Sequence, residues 1–315
     1  MKSYRNLKKS AEHSLNGPAE RFALIDTMRD EYSVVELCRV LGVSRSGYYA
    51  YRKRSPSPRA LENQHLLRDI KDIHNHRHTR CYGSPRMTHQ LRHAGHSCSV
   101  NRVARIMRRA GISARPRKAF RPRTTTPDHS ACASPNRLAK AGNPETPGAQ
   151  VVSDITYIPT AQGWLYLAVV IDLFSRSIIG WRLSDSLHAQ IVTEAIEEAD
   201  RSGLLGPGTI FHSDRGCQYS ATLTRSKLAQ RQWIQSMSAK GYCYDNAFAE
   251  STFASLKNEL LPNRQIFKSK AQARNAVFDY IETFYNRKRL HSSLGYKSPV
   301  TFLNEHFQMS DQSVN

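Results

Sequence analysis

The 315-residue chain reads as a mixed five-stranded sheet with flanking helices, preceded by all-α segments built as helix-turn-helix units. Three observations carry this reading. Strand-like apolar runs begin only at residue 150 and then alternate with helical patterns. The first 115 residues instead repeat a helix–glycine–helix theme. The charge divides in the same place: 29 of the 46 Lys+Arg and 11 of the 26 Asp+Glu fall in residues 1–150, so that half carries +18 and residues 151–315 carry +2. Solubility does not require such asymmetry, whereas a polyanion-binding front joined to a near-neutral back explains it.

Taken in order, residues 1–18 are a polar leader ending in Asn-Gly-Pro. Residues 19–56 hold the first helix-turn-helix: a helix over 34–41, Gly42 as a C-cap, and a second helix N-capped by Ser44. The small Cys38 lets the two helices cross closely. Within the recognition helix, Ser44, Arg45, Arg52 and Lys53 are candidate DNA contacts. After the SPSPR break, residues 60–115 repeat the theme, with a helix opening at Ser84-Pro85, closing at Gly95, and another beginning at Ser99. That last helix sets Val103, Ile106 and Met107 against Arg102, Arg105, Arg108 and Arg109, and Arg102, Arg105 and Arg109 are candidate phosphate contacts. Plain helical hairpins with solvated basic faces are the alternative reading of both units. Residues 116–148, rich in proline and basic residues, predict an extended linker.

Residues 149–262 predict the α/β core. Three strand-like runs (VVSDITYIP, WLYLAVVIDLF, RSIIGWRLS) are followed by a helix over 188–201 and the strand GTIFHSD. A helix over 220–230, a short strand at 233–236 and a long helix over 245–261 complete it. Residues 263–315 add one helix, 269–285, and a basic tail, NRKRLHSSLGYKSP.

Three acids are the candidate catalytic and metal-binding groups. Asp154 interrupts an apolar strand, where a charge is costly without a partner. Asp214 follows an apolar strand directly, at a strand end where α/β sheets bind ligands. Glu250 lies on the long helix. Magnesium prefers oxygen donors, and three such carboxylates can hold two ions about 4 Å apart across a phosphodiester. On the same helix, Asn246 and Lys257 fall on nearly the face of Glu250, whereas Phe253, Leu256 and Leu260 form a core stripe. His212 shares a strand face with Asp214, and packing behind the acid is the favoured role over direct proton transfer.

At these residues a family resemblance enters. DITYI, HSDRGCQY and YDNAFAESTFASLKNE, with 35 residues between Asp214 and Glu250, resemble the DDE integrase core. More narrowly they are similar to the second-frame (OrfB) transposases of the insertion-sequence-three family, as are GVSRSGYYAYRKR and RLHSSLGYKSP. The resemblance implies a ribonuclease-H-like core and two Mg2+ ions per site, with Mn2+ as an alternative. It implies that Asp154, Asp214 and Glu250 are the catalytic acids and that Lys257 contacts substrate DNA. The implied partners are double-stranded DNA (element ends and target), further copies of the chain on DNA, and an upstream-frame (OrfA) partner or fusion. One departure is Val151, where the family often has tryptophan three residues before the first aspartate. A related integrase or nuclease on the same metal core, and a non-catalytic DNA-binding regulator derived from a transposase, stay open beside this reading.

Other classes are disfavoured. The six cysteines show no close pairing, so neither a disulfide framework nor a metal knuckle is expected, which fits a reducing cytoplasm. The family resemblance implies a bacterial, nucleoid-associated protein. His74, His76 and His78 lack the cysteine pair of a zinc module. The start lacks a secretory apolar stretch, and the apolar run at 165–171 is too short to span a bilayer.

Overall fold

The computed structural model describes residues 17–114, 134–238, 247–261 and 266–312, without the side chains of 247–250 and 311. The leader up to residue 16, the linker between 115 and 133, and Asn246 lie outside the described residues. The chain forms two compact units, Met1–His65 and Leu66–Asn315.

The first unit holds α1 (Pro18–Met28), α2 (Val34–Leu41) and α3 (Arg45–Lys53). Gly42 takes φ 63°, a conformation open to glycine at no steric cost, and so turns the chain between α2 and α3. Ser44 then accepts a hydrogen bond from the Gly47 N–H at 3.1 Å and caps α3. Ile25, Leu37, Cys38, Leu41 and Tyr48 form the core. Where α3 meets α1, a Cβ on Gly47 would lie 3.2 Å from the Phe22 ring, so glycine permits the close approach.

The second unit begins within α4 (Pro58–Asn75), from which it takes Leu66 and Ile70, and continues with α5 (Ser84–His93) and α6 (Val100–Arg109). Ser99 caps α6 by accepting from the Arg102 N–H, as expected. At α5 the expectation shifts by one residue: Gly83 precedes the helix, and Ser84 and Pro85 already occupy its first turn. The part of the linker from 134 onward is not extended. It carries α7 (Leu138–Ala141), and the backbone N–H groups of Arg137 and Leu138 donate to Ser236 Oγ at 2.9 and 3.2 Å.

The sheet comprises β1 (Gln150–Thr160), β2 (Gly163–Asp172), β3 (Ile178–Ser184), β4 (Ile210–Ser213) and β5 (Ile234–Met237), in the order β3-β2-β1-β4-β5. β1, β2 and β3 form an antiparallel meander, while β4 and β5 run parallel to β1. Between these strands and after them come α8 (Ala189–Arg201), α9 (Cys217–Ser220), α10 (Thr222–Gln230), α11 (Ala247–Leu260) and α12 (Lys270–Phe278). This mixed sheet with helices on both faces is the fold class expected.

Side chains alternate across the sheet and supply two cores. Val151, Ala168, Val170 and Phe211 pack with α8 and with Tyr219, Leu228 and Trp233. Val152, Ile158, Leu167 and Val169 pack with Phe253, Leu256 and Leu260 of α11 and with α12. Met87, Leu91, Val103 and Met107 of α5 and α6 belong to this second core, so the second helix pair is built into the body of the unit.

The C-terminal region departs most from expectation. The predicted 269–285 helix changes character midway, with α12 passing into a π-helical stretch, Asp279–Tyr285. The predicted basic tail is folded. Arg289 is only 3% exposed, His291 is buried, and a further helix, α13 (Pro299–Gln312), follows. Among the described residues, no helix is long and apolar enough to cross a membrane.

Candidate active site and nucleic-acid faces

The sheet register brings two of the three predicted acids together. The parallel β1–β4 ladder ends at the Ser153↔Ser213 pair, and Asp154 and Asp214 are the next residues along the two segments. Asp154 stands opposite Val169 on β2 and shares the parity of Val152 and Ile158, the face covered by α11. Local backbone holds each carboxylate: Ile155 N–H donates to Asp154 Oδ1 at 2.7 Å, and Gly216 N–H donates to Asp214 Oδ1 at 2.9 Å. The second contact closes a tight turn straight after β4, which keeps Asp214 at the strand end.

Neighbouring groups register the charge of both acids. Burial raises the Tyr219 phenol well above its usual range, and the negative charges of Asp154 and Asp214 raise it further. Its hydroxyl lies 3.0 Å from Ser153 Oγ. The Tyr157 phenol is also raised, first by burial and then by Tyr166, Asp214 and Cys217. Lys257 is half-buried on α11. Burial lowers its ammonium pKa, and the Asp154 charge opposes that shift. Lys257 therefore stands within electrostatic reach of the first aspartate, on the face expected. Position 250 lies in the first turns of α11, seven residues before Lys257 and so two turns away on nearly the same face. The side chain of Glu250 and all of Asn246 lie outside the described residues.

Oxygen donors of this kind fit a hard divalent cation. Asp154 and Asp214 on adjacent strands fit that donor set, and a third acid would come from α11. Among the described residues no cluster of three or more His, Cys, Asp or Glu is poised to hold a metal ion. His212 is fully buried, with Nδ1 2.9 Å from Ser236 Oγ and Nε2 3.2 Å from Ser238 Oγ, so it ties β4 to β5. Arg215 Nε adds a bond to the Ser238 carbonyl at 2.7 Å.

The residues chosen as DNA contacts divide by environment. On α3, Arg45 and Lys53 are exposed. Arg52 lies 3.4 Å from Asp26, which also accepts the Tyr48 hydroxyl at 2.7 Å, and Ser44 is engaged as the helix cap. Tyr49, 44% exposed and four residues from both Arg45 and Lys53, adds an aromatic ring to their stripe. Sequence reasoning missed it, although the four-residue spacing was visible. On α6, Arg105 and Arg109 are exposed opposite buried Val103 and Met107, while Arg102 is half-buried. Tyr219 and Ser153 were also missed. Both sit inside motifs already noted, but their pairing across 66 residues is a tertiary fact.

The chain is similar to known proteins. An integrase core domain model matches residues 144–243, a second model of the same description matches 232–299, and an HTH-like domain model matches 61–120. The transposase InsF for insertion sequence IS3A of Escherichia coli (strain K12) is 39% identical over 287 residues, covering 90% of this chain and 99% of that protein. The insertion element IS600 uncharacterized 31 kDa protein of Shigella sonnei is 37% identical over 274 residues, covering 87% and 100%. A simian T-cell lymphotropic virus intasome in complex with PP2A regulatory subunit B56 gamma overlays 70% of this chain and 74% of its own at 15% identity and TM-score 0.43. The fold assignment rests on the strand order and the family models. With two integrase core matches, a helix-turn-helix match and relatives spanned almost end to end, the chain belongs to the IS3-family transposases, enzymes built on a DDE integrase core.

Proposed function

We propose that this chain binds the terminal inverted repeats of an insertion sequence and catalyses DNA strand cleavage and strand transfer with Asp154, Asp214 and Glu250. The observation that supports the reading is the parallel β1–β4 register, whose last pair, Ser153 and Ser213, is followed directly by Asp154 and Asp214. Two Mg2+ ions (or Mn2+), when bound, would supply Lewis-acid activation of the nucleophile and charge neutralisation at the leaving oxygen. The protein's own part is placement. β1 and β4 carry the two aspartates at the ends of adjacent strands, and α11 carries position 250. Lys257, on the same face of α11, supplies a cation for a DNA phosphate beside the acids. Behind them, His212 braces β4 against β5 through the two serines. Arg45, Lys53, Arg105 and Arg109 hold the duplex by its backbone, with Ser44, Arg52 and Arg102 at the margins of those faces.

The partners are element-end and target DNA, further copies of the chain assembled on DNA, and an upstream-frame protein or fusion. The site of action is the bacterial cytoplasm, at the nucleoid. The test uses labelled element-end DNA with Mg2+. Asp154→Asn, Asp214→Asn and Glu250→Gln each abolish strand transfer, while affinity for the ends stays within about threefold of the parent, a change of ~0.6 kcal/mol. Near-parental joining by any one variant removes that residue from the mechanism. Hydrolysis without joining by the parent protein would favour the related nuclease reading.

A further inference from the structure

We infer that Glu259 and Arg289 form a buried latch that fixes the rotation of α11 about its own axis, and so aims position 250 at Asp154 and Asp214. Glu259 and Arg289 are thereby positioning residues. The inference rests on the carboxylate site proposed above.

Glu259 lies on α11, nine residues after Glu250. At about 100° per residue this places the two positions on opposite sides of the helix. The Glu259 side chain is 2% exposed and that of Arg289 3%. Arg289 grips the carboxylate by two edges: Nε lies 2.9 Å from Oε2, and its terminal nitrogen lies 2.9 Å from Oε1. The Tyr280 hydroxyl donates to Oε2 at 2.7 Å, and Arg86 of α5 stands 4.0 Å from Oε1. The other terminal nitrogen of Arg289 meets the His291 ring at 3.2 Å. One carboxylate on α11 is therefore held from the second helix pair, the π-helical stretch and the C-terminal segment.

Stability alone does not account for this arrangement. A buried ion pair exchanged for apolar side chains of similar volume is often neutral or stabilising, because two charges no longer lose their hydration. What the pair adds is direction. Phe253, Leu256 and Leu260 seat α11 on the sheet through apolar contacts, which have no preferred angle. A two-pronged guanidinium–carboxylate bond does have one. A helical side-chain tip lies about 6 Å from its axis, so ~10° of rotation moves it by about 1 Å. A misplacement of that size costs on the order of a hundredfold in rate.

The experiment compares the full-length parent with E259M/R289M and with R289K, which keeps the charge but loses the fork. It reads the thermal midpoint, affinity for element-end DNA, single-turnover strand transfer at saturating DNA with Mg2+, and Mn2+ affinity of the DNA-free chain by electron paramagnetic resonance. The paired methionine variant is expected to keep the parental midpoint and DNA affinity while strand transfer falls about a hundredfold and Mn2+ affinity weakens. R289K should fall between the two. Parental transfer in a folded E259M/R289M chain overturns the latch, as does a loss of transfer that only follows loss of stability across the variants. If the parent is inert on DNA ends, it is the reading of the site that fails. The Mn2+ titration then still decides the latch, and unchanged affinity in E259M/R289M rejects it.

Discussion

Asp154 and Asp172 sit on the same antiparallel hairpin, each among apolar neighbours, and stand in different surroundings. Asp172 is fully buried and closes a turn, accepting the Gly148 N–H at 3.0 Å and the Ser175 N–H at 2.8 Å. Asp154 stands at the edge of the β1–β4 ladder, beside a second acid. An acid in an apolar strand is therefore an ambiguous signal, and the neighbouring strand decides its use. A histidine makes the same point about surroundings. His291 is held neutral, its pKa lowered to about 2 by burial and then by Arg289, Arg86 and Arg176. The unfolded chain binds a proton near pH 6.5 that the folded chain refuses, so this stability is complete above about pH 6.5 and declines as pH falls. The decline amounts to about 2 kcal/mol at pH 5. Burial lowers His78 as well, despite its bond to Asp279, and acts with the same sign. Denaturant titration at pH 7.5 and pH 5 should show this loss, and His291→Gln should flatten it.

Among the elements, Gly180 on β3 sets how closely α8 can lie on the sheet. A Cβ there would fall 2.3 Å from the Ala195 carbonyl oxygen and 2.6 Å from the Ala199 nitrogen, both backbone atoms that cannot swing aside. Gly180→Ala is expected to destabilise the protein by about 3 kcal/mol through overpacking, measured as a lower denaturant midpoint with an unchanged slope. The glycine is plain in the sequence, but the helix above it is not. Elements whose cause is local were legible: Gly42 turning between α2 and α3, Ser44 and Ser99 as caps, and the α11 stripe of Phe253, Leu256 and Leu260. Asp154 and Asp214 were legible as candidates because both are charges beside apolar strands, and the β1–β4 register that puts them next to one ladder pair was not. The π-helical stretch, the folded C-terminal segment and the Glu259–Arg289 bond were not legible. Arg289 meets Glu259 across 30 residues, and the π-helical stretch meets His78 through Asp279 and Trp181 through Glu282 across longer separations. A run such as NRKRLHSS looks like a solvated tail until a buried carboxylate is found to receive its arginine.

For the whole molecule, charge and core follow different boundaries. The basic excess lies in the first 150 residues, yet Tyr82, Met87, Leu91, Val103 and Met107 from that half are part of the core that also holds Val152, Leu167 and Val169. Further ties cross the same boundary: the His89 ring stacks on Tyr296 at 3.8 Å, and His78 Nε2 lies 3.0 Å from Asp279. An interface made of shared interior does not need a covalent link between its two sides. Two polypeptides, 1–114 and 134–315, produced together in one cell should find each other and co-elute as a stoichiometric pair. Tyr82→Asp, which drives a charge into that seam, should release them on size-exclusion chromatography. Evolution is thus free to change the number of residues between these two pieces without rebuilding the surface that joins them.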